Sequence, residues 1–375
     1  MPNSLPQKKL WSLWAMRHSN ISIFIPHTGC PHKCSFCDQH TISGAQKSSS
    51  ADEVREICEK AVKEINSPEN TEIAFFGGSF TAIPREYMIS LLKTAHEFVG
   101  GGKFHGIRIS TRPDYINPEI LDILKKYGVT AIELGAQSMS DKVLAANERG
   151  HTAQDVVNAS SLIKKYGFEL GLQMMIGLYE STGEDEWETM EKILEIHPDT
   201  VRIYPVVILK NTKLAQLLES GEYQLFGGEN DERFYYDFDD VVDTAAALLE
   251  TFEENGIRVI KCGLHASEFV EKDMVGGYYH PAFRELCESI IYREKIWNAL
   301  SDYADLSRPQ KYIKEEAEAK LAKLHDSFTI AVNPSCISKA MGHKKSNQLH
   351  FRENGIEIKI IGDENIPKYK CELRR

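Results

Sequence analysis

The sequence predicts an α/β protein: an incomplete parallel (β/α)6 barrel of the TIM type, with a C-terminal α/β extension and a small tail. Three observations carry this. Between Ile21 and Val207, six short β-branched or aromatic runs alternate with amphipathic stretches, the pattern of parallel strands joined by right-handed crossovers. Polar and glycine-rich residues gather after the strands, in HTGC, GGSF, TRPD, AQS and GLYEST, at the edge where parallel barrels build their sites. Finally, 375 residues with 42% hydrophobic and 26% charged side chains suit one large soluble α/β domain with an appendage.

Residues 1–17 are expected to be loosely ordered; their apolar part is too short and broken for a signal peptide. A barrel is expected over 18–210. Its strands are ISIFIPH, TEIAFFGG, GIRISTRP, VTAIELGAQS, FELGLQMMIG and TVRIYPVVIL, rich in the residues that suit a pleated, covered surface. Helices fall on ADEVREICEKAVKEI, REYMISLLKTAHEFV, PEILDILKKYG, TAQDVVNASSLIKKYG and GEDEWETMEKILEIHP, where apolar residues recur at helical spacing. An extension over 211–305 begins with the weakly periodic KLAQLLESGEYQLFGGENDE. A long helix near Phe234 to Asn255, a strand IRVIKCGL and a helix around Pro281 to Leu300 follow. The tail, 306–375, opens with a charged helix in SRPQKYIKEEAEAKLAKL and becomes a small unit from about Phe328. No run approaches the twenty apolar residues of a membrane helix. Without an export signal, a cytoplasmic location is expected, where clustered cysteines read as metal-binding or catalytic before they read as disulfides. The net charge of −11 argues against a general electrostatic grip on nucleic acid, though not against a local basic patch.

Three of the eight cysteines lie within eight residues, as C-x3-C-x2-C: Cys30, Cys34 and Cys37. The loop also holds Pro31, His32, Lys33, Asp38 and Gln39, too polar for three thiols packed as small apolar groups. Structural zinc wants four ligands. No second CxxC exists, but His27, His32 or His40 could supply the fourth, so zinc stays open. An iron–sulfur cubane has four irons held by thiolates. Three cysteines would leave one iron open for a substrate or cofactor, as catalytic metal sites do.

This motif, with Phe36 as the aromatic before the third cysteine, follows a first strand and precedes β/α units. It resembles the radical S-adenosylmethionine (radical SAM) superfamily. The resemblance implies a 4Fe–4S cluster on Cys30, Cys34 and Cys37, whose open iron chelates S-adenosylmethionine (SAM). Reductive cleavage of SAM would then release a 5′-deoxyadenosyl radical, with electrons from a donor such as flavodoxin or ferredoxin. Gly77 and Gly78, with Ser79 after them, resemble the glycine motif whose backbone approaches the SAM amino group; a Cβ would block that approach.

ISTRPDYI, ELGAQSMSDKVLAANERGHT and GLQMMIGLYEST resemble more narrowly the radical SAM half of the Elongator Elp3 family, and less closely the coproporphyrinogen dehydrogenase group. In the latter, a Gln ending the fourth strand and an Arg twelve residues on contact SAM, and Gln137 and Arg149 have that spacing. A guanidinium can clamp a carboxylate with two hydrogen bonds. Gln173 matches a position that touches the ribose hydroxyls. Strand-end capping, for the glutamines, and a surface helix charge, for Arg149, are the bland readings. Ser110 stands where Elp3 proteins have Glu, and the gap between the first two cysteines is shorter here. Too few residues are expected to remain for Elp3's acetyltransferase domain, so its carboxymethyl chemistry is not carried over.

The stretch from Ser338 to Arg375 holds nine Lys or Arg against five Asp or Glu. FTIAVNPSCISKAMGHKKSNQLHFRENGIEIKII reads as strand, helix, turn, helix, strand and resembles a KH module, whose GxxG loop clamps an RNA backbone. Here that loop is Gly342, His343, Lys344 and Lys345, with Lys in place of the second Gly; a small α/β appendage with a solvated charge run is the alternative. The remaining cysteines, Cys58, Cys262, Cys287, Cys336 and Cys371, have no ligand spacing and read as free thiols. Three functions are compatible with these residues: a radical SAM enzyme modifying RNA, in particular tRNA; a radical SAM enzyme on a small molecule such as a tetrapyrrole; and a non-enzymatic zinc-site protein.

Overall fold

The structure is a computed structural model describing residues 19–25, 30, 34–38, 41–42, 47–227, 235, 237–265, 267–303 and 327–374. The N-terminal segment, the charged helix expected in 307–324 and the three loop histidines lie outside these residues. Contacts divide the described chain into two compact units. One holds the first five strands with their helices, Val206–Leu225 and Ser267–Gly277. The other holds Ile203–Pro205, the next sheet strand with its helix, and the residues from Tyr278 onward.

The β/α alternation is present throughout. Strand β1 (Ser19–Ile25) precedes α1 (Ala51–Glu64), β2 (Thr71–Gly77), α2 (Arg85–His96), β3 (Gly106–Thr111), α3 (Pro118–Lys126) and β4 (Val129–Gln137). Then come a short α4 (Asp141–Ala146), α5 (Ala153–Tyr166), β5 (Glu169–Ile176), α6 (Gly183–Ile196) and β6 (Thr200–Pro205). Helix starts follow local chemistry. Ser50, Thr152 and Thr182 each cap a helix and form a capping box with the acidic residue three positions on. Gly167, at φ +82°, ends α5. The strands pair in parallel, beginning with Ser19 opposite Thr71 and continuing through β2–β3, β3–β4 and β4–β5.

The sixth expected run is two strands. It breaks after Pro205, which has no N–H to give a ladder. Val206 donates instead to the Ile176 carbonyl at 2.9 Å, and β7 (Val207–Leu209) pairs antiparallel with β9 (Met274–Gly277). The stretch that reads as weakly periodic contains a helix, α7 (Lys213–Ser220), capped by Thr212 and stopped by Gly221 at φ +80°. After α8 (Phe238–Glu254), β8 (Arg258–Cys262) completes a seven-stranded parallel sheet, ordered β1-β2-β3-β4-β5-β6-β8. This is the incomplete barrel, one strand wider than six units.

The barrel interior is unusually charged at its base. Arg108 on β3 is fully buried and reaches Glu72 on β2 (2.7 Å), Glu133 on β4 (3.3 Å) and Glu169 on β5 (2.7 Å). Arg202 on β6 meets both oxygens of Glu133, at 2.7 and 2.6 Å. Buried charges survive only when paired in this way.

Within the second unit, α9 being the short Glu268–Asp273 helix of the first, α10 (Phe283–Tyr303) packs on α8. The tail shows the expected order: β10 (Ser327–Val332), α11 (Ile337–Met341), the Gly342–Lys345 turn, α12 (Ser346–Glu353) and β11 (Glu357–Gly362). An additional strand, β12 (Cys371–Arg374), flanks β10 antiparallel, opposite the parallel β11.

Candidate active site

The site gathers at the C-terminal ends of β1 to β5. Cys30 follows β1, and Cys34, Ser35 and Phe36 lead into Cys37, whose N–H donates to the Cys34 carbonyl at 3.1 Å. Asn147 and Leu214 hold this loop. Ser35 donates through Oγ to Asn147 Oδ1 at 2.7 Å and through N to the Asn147 carbonyl, while Leu214 N–H donates to the Ser35 carbonyl at 2.8 Å. Asn147 is itself fixed by its amide, which donates to the Val143 and Tyr179 carbonyls. Asn147 drew no notice in the sequence, because an Asn at a helix end ordinarily signals only a cap.

The three thiols lie within electrostatic reach of one another. Burial pushes the Cys37 thiol well up, and the neighbouring Cys34 and Cys30 add to it. Burial also raises Cys30, against the Ser79 backbone N–H and the guanidiniums of Arg112 and Arg149. Arg149 Nη1 donates to Cys34 Sγ at 3.0 Å. Among the described residues, no three His, Cys, Asp or Glu side chains are set around a single-ion position. The donor set nevertheless fits an iron–sulfur cluster: three soft sulfurs, with N–H donors and cations around them to offset thiolate charge.

Gly77 and Gly78 pack against the end of β1. Gly77 has φ +110°, and a Cβ there would stand 3.0 Å from the Ile25 carbonyl oxygen, so β1 itself requires the glycine. Gly78 N–H donates to the same Ile25 carbonyl at 2.8 Å. Ser79 is buried; its hydroxyl shares a hydrogen bond with Thr111 Oγ1 at 2.8 Å and accepts from Arg112 N–H.

Gln137 ends β4 beyond a register shift that starts at Leu134, and its φ is +68°. A bulge re-aims side chains, and a non-glycine at positive φ is held there only by the structure around it. Its Oε1 is buried without a partner. Gly135 makes room beside it: a Cβ there would meet Gln137 Nε2 at 3.0 Å and Arg149 Nη2 at 3.3 Å. The Arg149 guanidinium is mostly engaged. Besides Cys34, it donates from Nη2 to the Gly135 carbonyl at 2.5 Å and lies over the Phe36 ring, 5.9 Å from its centroid; Nε alone is buried and unpartnered.

Two neighbours in the quoted motifs were given no role from sequence. Arg112, in TRPD, is clamped by Asp114 through two 2.9 Å hydrogen bonds and keeps Nη1 buried without a partner. His151, in ERGHT, is buried, and its pKa is lowered to about 4 by burial and by Arg149 and Arg112. Unpaired buried polar atoms are rare in folded proteins, and those of Gln137, Arg149, Arg112 and His151 are found in the same motifs. Deeper in the barrel, Gln173 on β5 donates from Nε2 to Glu133 Oε2 at 3.0 Å and to Ser110 Oγ at 3.3 Å.

The loop residues Gly342–Lys345 lie in the second unit. Gly342 has φ +83°, where a Cβ would stand 2.6 Å from Asn347 N, and Lys344 and Lys345 both adopt positive φ with exposed side chains. His343 N–H donates to Ser289 Oγ.

Three cysteines thus follow the first strand of a parallel half-barrel, the architecture of a barrel enzyme, with unpaired buried polar groups around them. The chain belongs to the radical SAM superfamily: the superfamily model matches residues 24–193, and the radical SAM C-terminal domain model matches 198–293. Human Elongator complex protein 3 is 30% identical over 181 residues, covering 43% of this chain and 33% of that protein. The tRNA uridine(34) acetyltransferase of Methanocaldococcus jannaschii is 28% identical over 189 residues, 45% of this chain and 35% of that protein. The structure of Methanocaldococcus infernus Elp3 superposes with a TM-score of 0.50 at 19% identity, over 68% of this chain and 61% of that one. The chain is thus an Elp3-like radical SAM protein spanning about a third of the length of these curated relatives. Among the described residues, no helix is long and apolar enough to cross a membrane.

Proposed function

We propose that this enzyme holds a 4Fe–4S cluster on Cys30, Cys34 and Cys37, binds SAM at the strand C-termini and modifies tRNA. The observation that carries the reading is the meeting of the cysteine loop with Arg149, Gln137 and Arg112, each keeping a buried polar atom unpaired. When bound, the cluster and SAM supply one-electron reductive cleavage of a carbon–sulfur bond. The chain supplies the rest. Arg149 and the Ser79 N–H stabilise thiolate sulfur. Gln137 Oε1 and the free nitrogens of Arg149 and Arg112 suit the ammonium and carboxylate of an amino acid. Gln173 and Ser110 would meet the ribose, and neutral His151 adds no further positive charge. Phe36 shields the Arg149 side. Gly77 and Gly78 keep the β2 end close against β1, leaving that edge clear.

The tRNA assignment is supported by the relatives' names. The tail, with exposed Lys344 and Lys345 on a strained turn, is proposed to meet RNA phosphate. A reductant such as flavodoxin or ferredoxin would deliver the electron. Anaerobic reconstitution with iron and sulfide, then dithionite and SAM, should give a brown protein producing 5′-deoxyadenosine. Cys34→Ala should abolish both colour and product. Added tRNA should raise turnover, and Lys344→Ala with Lys345→Ala should weaken tRNA binding and lower its salt slope by about 2. A colourless zinc protein without SAM cleavage would overturn the assignment. Turnover raised by a tetrapyrrole and not by tRNA would transfer it to a small molecule.

A further inference from the structure

We infer that Glu133 is a positioning residue: it locks the Gln173 amide so that the site presents a hydrogen-bond acceptor to the sugar and selects for a hydroxyl donor there. The inference rests on the SAM reading above and concerns a residue to which the sequence patterns assign nothing. An amide side chain has two faces, oxygen and NH2, and only its partners decide which points where. Here the partner is a buried carboxylate. Glu133 Oε2 lies 3.0 Å from Gln173 Nε2, and a carboxylate can only accept. Turning the amide over would set two oxygens against each other in a buried position. Glu133 stays ionised because Arg202 and Arg108 both reach it. Ser110 Oγ accepts from the same Nε2 at 3.3 Å, so the NH2 group is fully engaged. Both hydrogen bonds of this half-buried glutamine to described residues use Nε2, which leaves its carbonyl Oε1 over. An acceptor fixed in this way rewards an O–H and offers nothing to a group that can only accept.

The test uses the reconstituted holoprotein and calorimetric binding of S-adenosylhomocysteine against its 2′- and 3′-deoxy and 2′- and 3′-fluoro analogues. Fluorine is close in size to hydroxyl but cannot donate. Wild-type protein should lose about tenfold in affinity at one of the two positions, the worth of one hydrogen bond, and the fluoro and deoxy analogues should lose equally. In Glu133→Gln the facing group can donate or accept, so Gln173 turns freely and the fluoro penalty should shrink to about threefold or less. Parent S-adenosylhomocysteine should still bind. Should Glu133→Gln fail to fold, the wild-type fluoro comparison decides alone: a fluoro analogue bound as tightly as the hydroxyl parent at both positions overturns the inference. So does a Glu133→Gln protein with the wild-type penalty. If wild-type holoprotein binds no S-adenosylhomocysteine at all, the SAM reading falls, and the inference with it.

Discussion

His151 is a buried imidazole beside two guanidiniums, and its pKa of about 4 lies below the usual 6.5. Between pH 6.5 and 4 the unfolded chain takes up a proton that the folded chain refuses. Stability from this residue is therefore complete above pH 6.5 and is lost as pH falls toward 4, by at most about 1.4 kcal/mol per pH unit. Replacing it by Gln removes that loss. Denaturant unfolding at pH 7 and pH 4.5 should show a smaller acid decline for His151→Gln than for wild type; parallel declines would mean the imidazole is not held neutral. ERGHT shows Arg149 two residues before His151, but the approach of Arg112 from the end of β3 is not visible in the sequence.

At the scale of the element, β4 shows how a strand end becomes a site. The register shift after Leu134 and the positive φ of Gln137 turn its side chain inward, and Gly135 leaves the space that Gln137 and Arg149 fill. Gly135→Ala should push both aside while leaving the buried part of the strand intact. We expect a thermal midpoint within a few degrees of wild type and SAM binding weakened about tenfold, the scale of one lost hydrogen bond. Unchanged SAM affinity would show that this spacing carries no binding function. A glycine inside a strand pattern announces close approach of some kind; which groups approach is decided by β4's neighbours.

For the molecule as a whole, the charged base of the barrel ties strands β2 to β6 together around Arg108 and Glu133. Arg108→Met would take the guanidinium from Glu72, which still accepts from the Thr130 hydroxyl, and from Glu133, which keeps Arg202 and Gln173. Removing one partner of a buried charge network costs about 3–5 kcal/mol. Denaturant unfolding should register that loss with little dependence on salt, because screening hardly reaches buried pairs. A loss below about 1 kcal/mol would mean that water or relaxation compensates the carboxylates.

The β/α alternation, the cysteine spacing and the strand–helix–turn–helix–strand order of the tail were legible in the chain because they follow from neighbours in sequence: periodicity, motif spacing and turn residues. So was the resemblance to radical SAM enzymes, carried by a local motif. Pro205 was equally visible, yet the break it imposes and the β7–β9 pairing depend on a partner strand some seventy residues on. The charges inside the barrel, Asn147 under the cysteine loop, the engagement of Arg149 with Cys34 and the Glu133–Gln173 lock join residues 25 to 115 positions apart. Only the closing of parallel strands side by side brings such groups together. A buried polar side chain then takes its partner, orientation and protonation from the neighbouring strand.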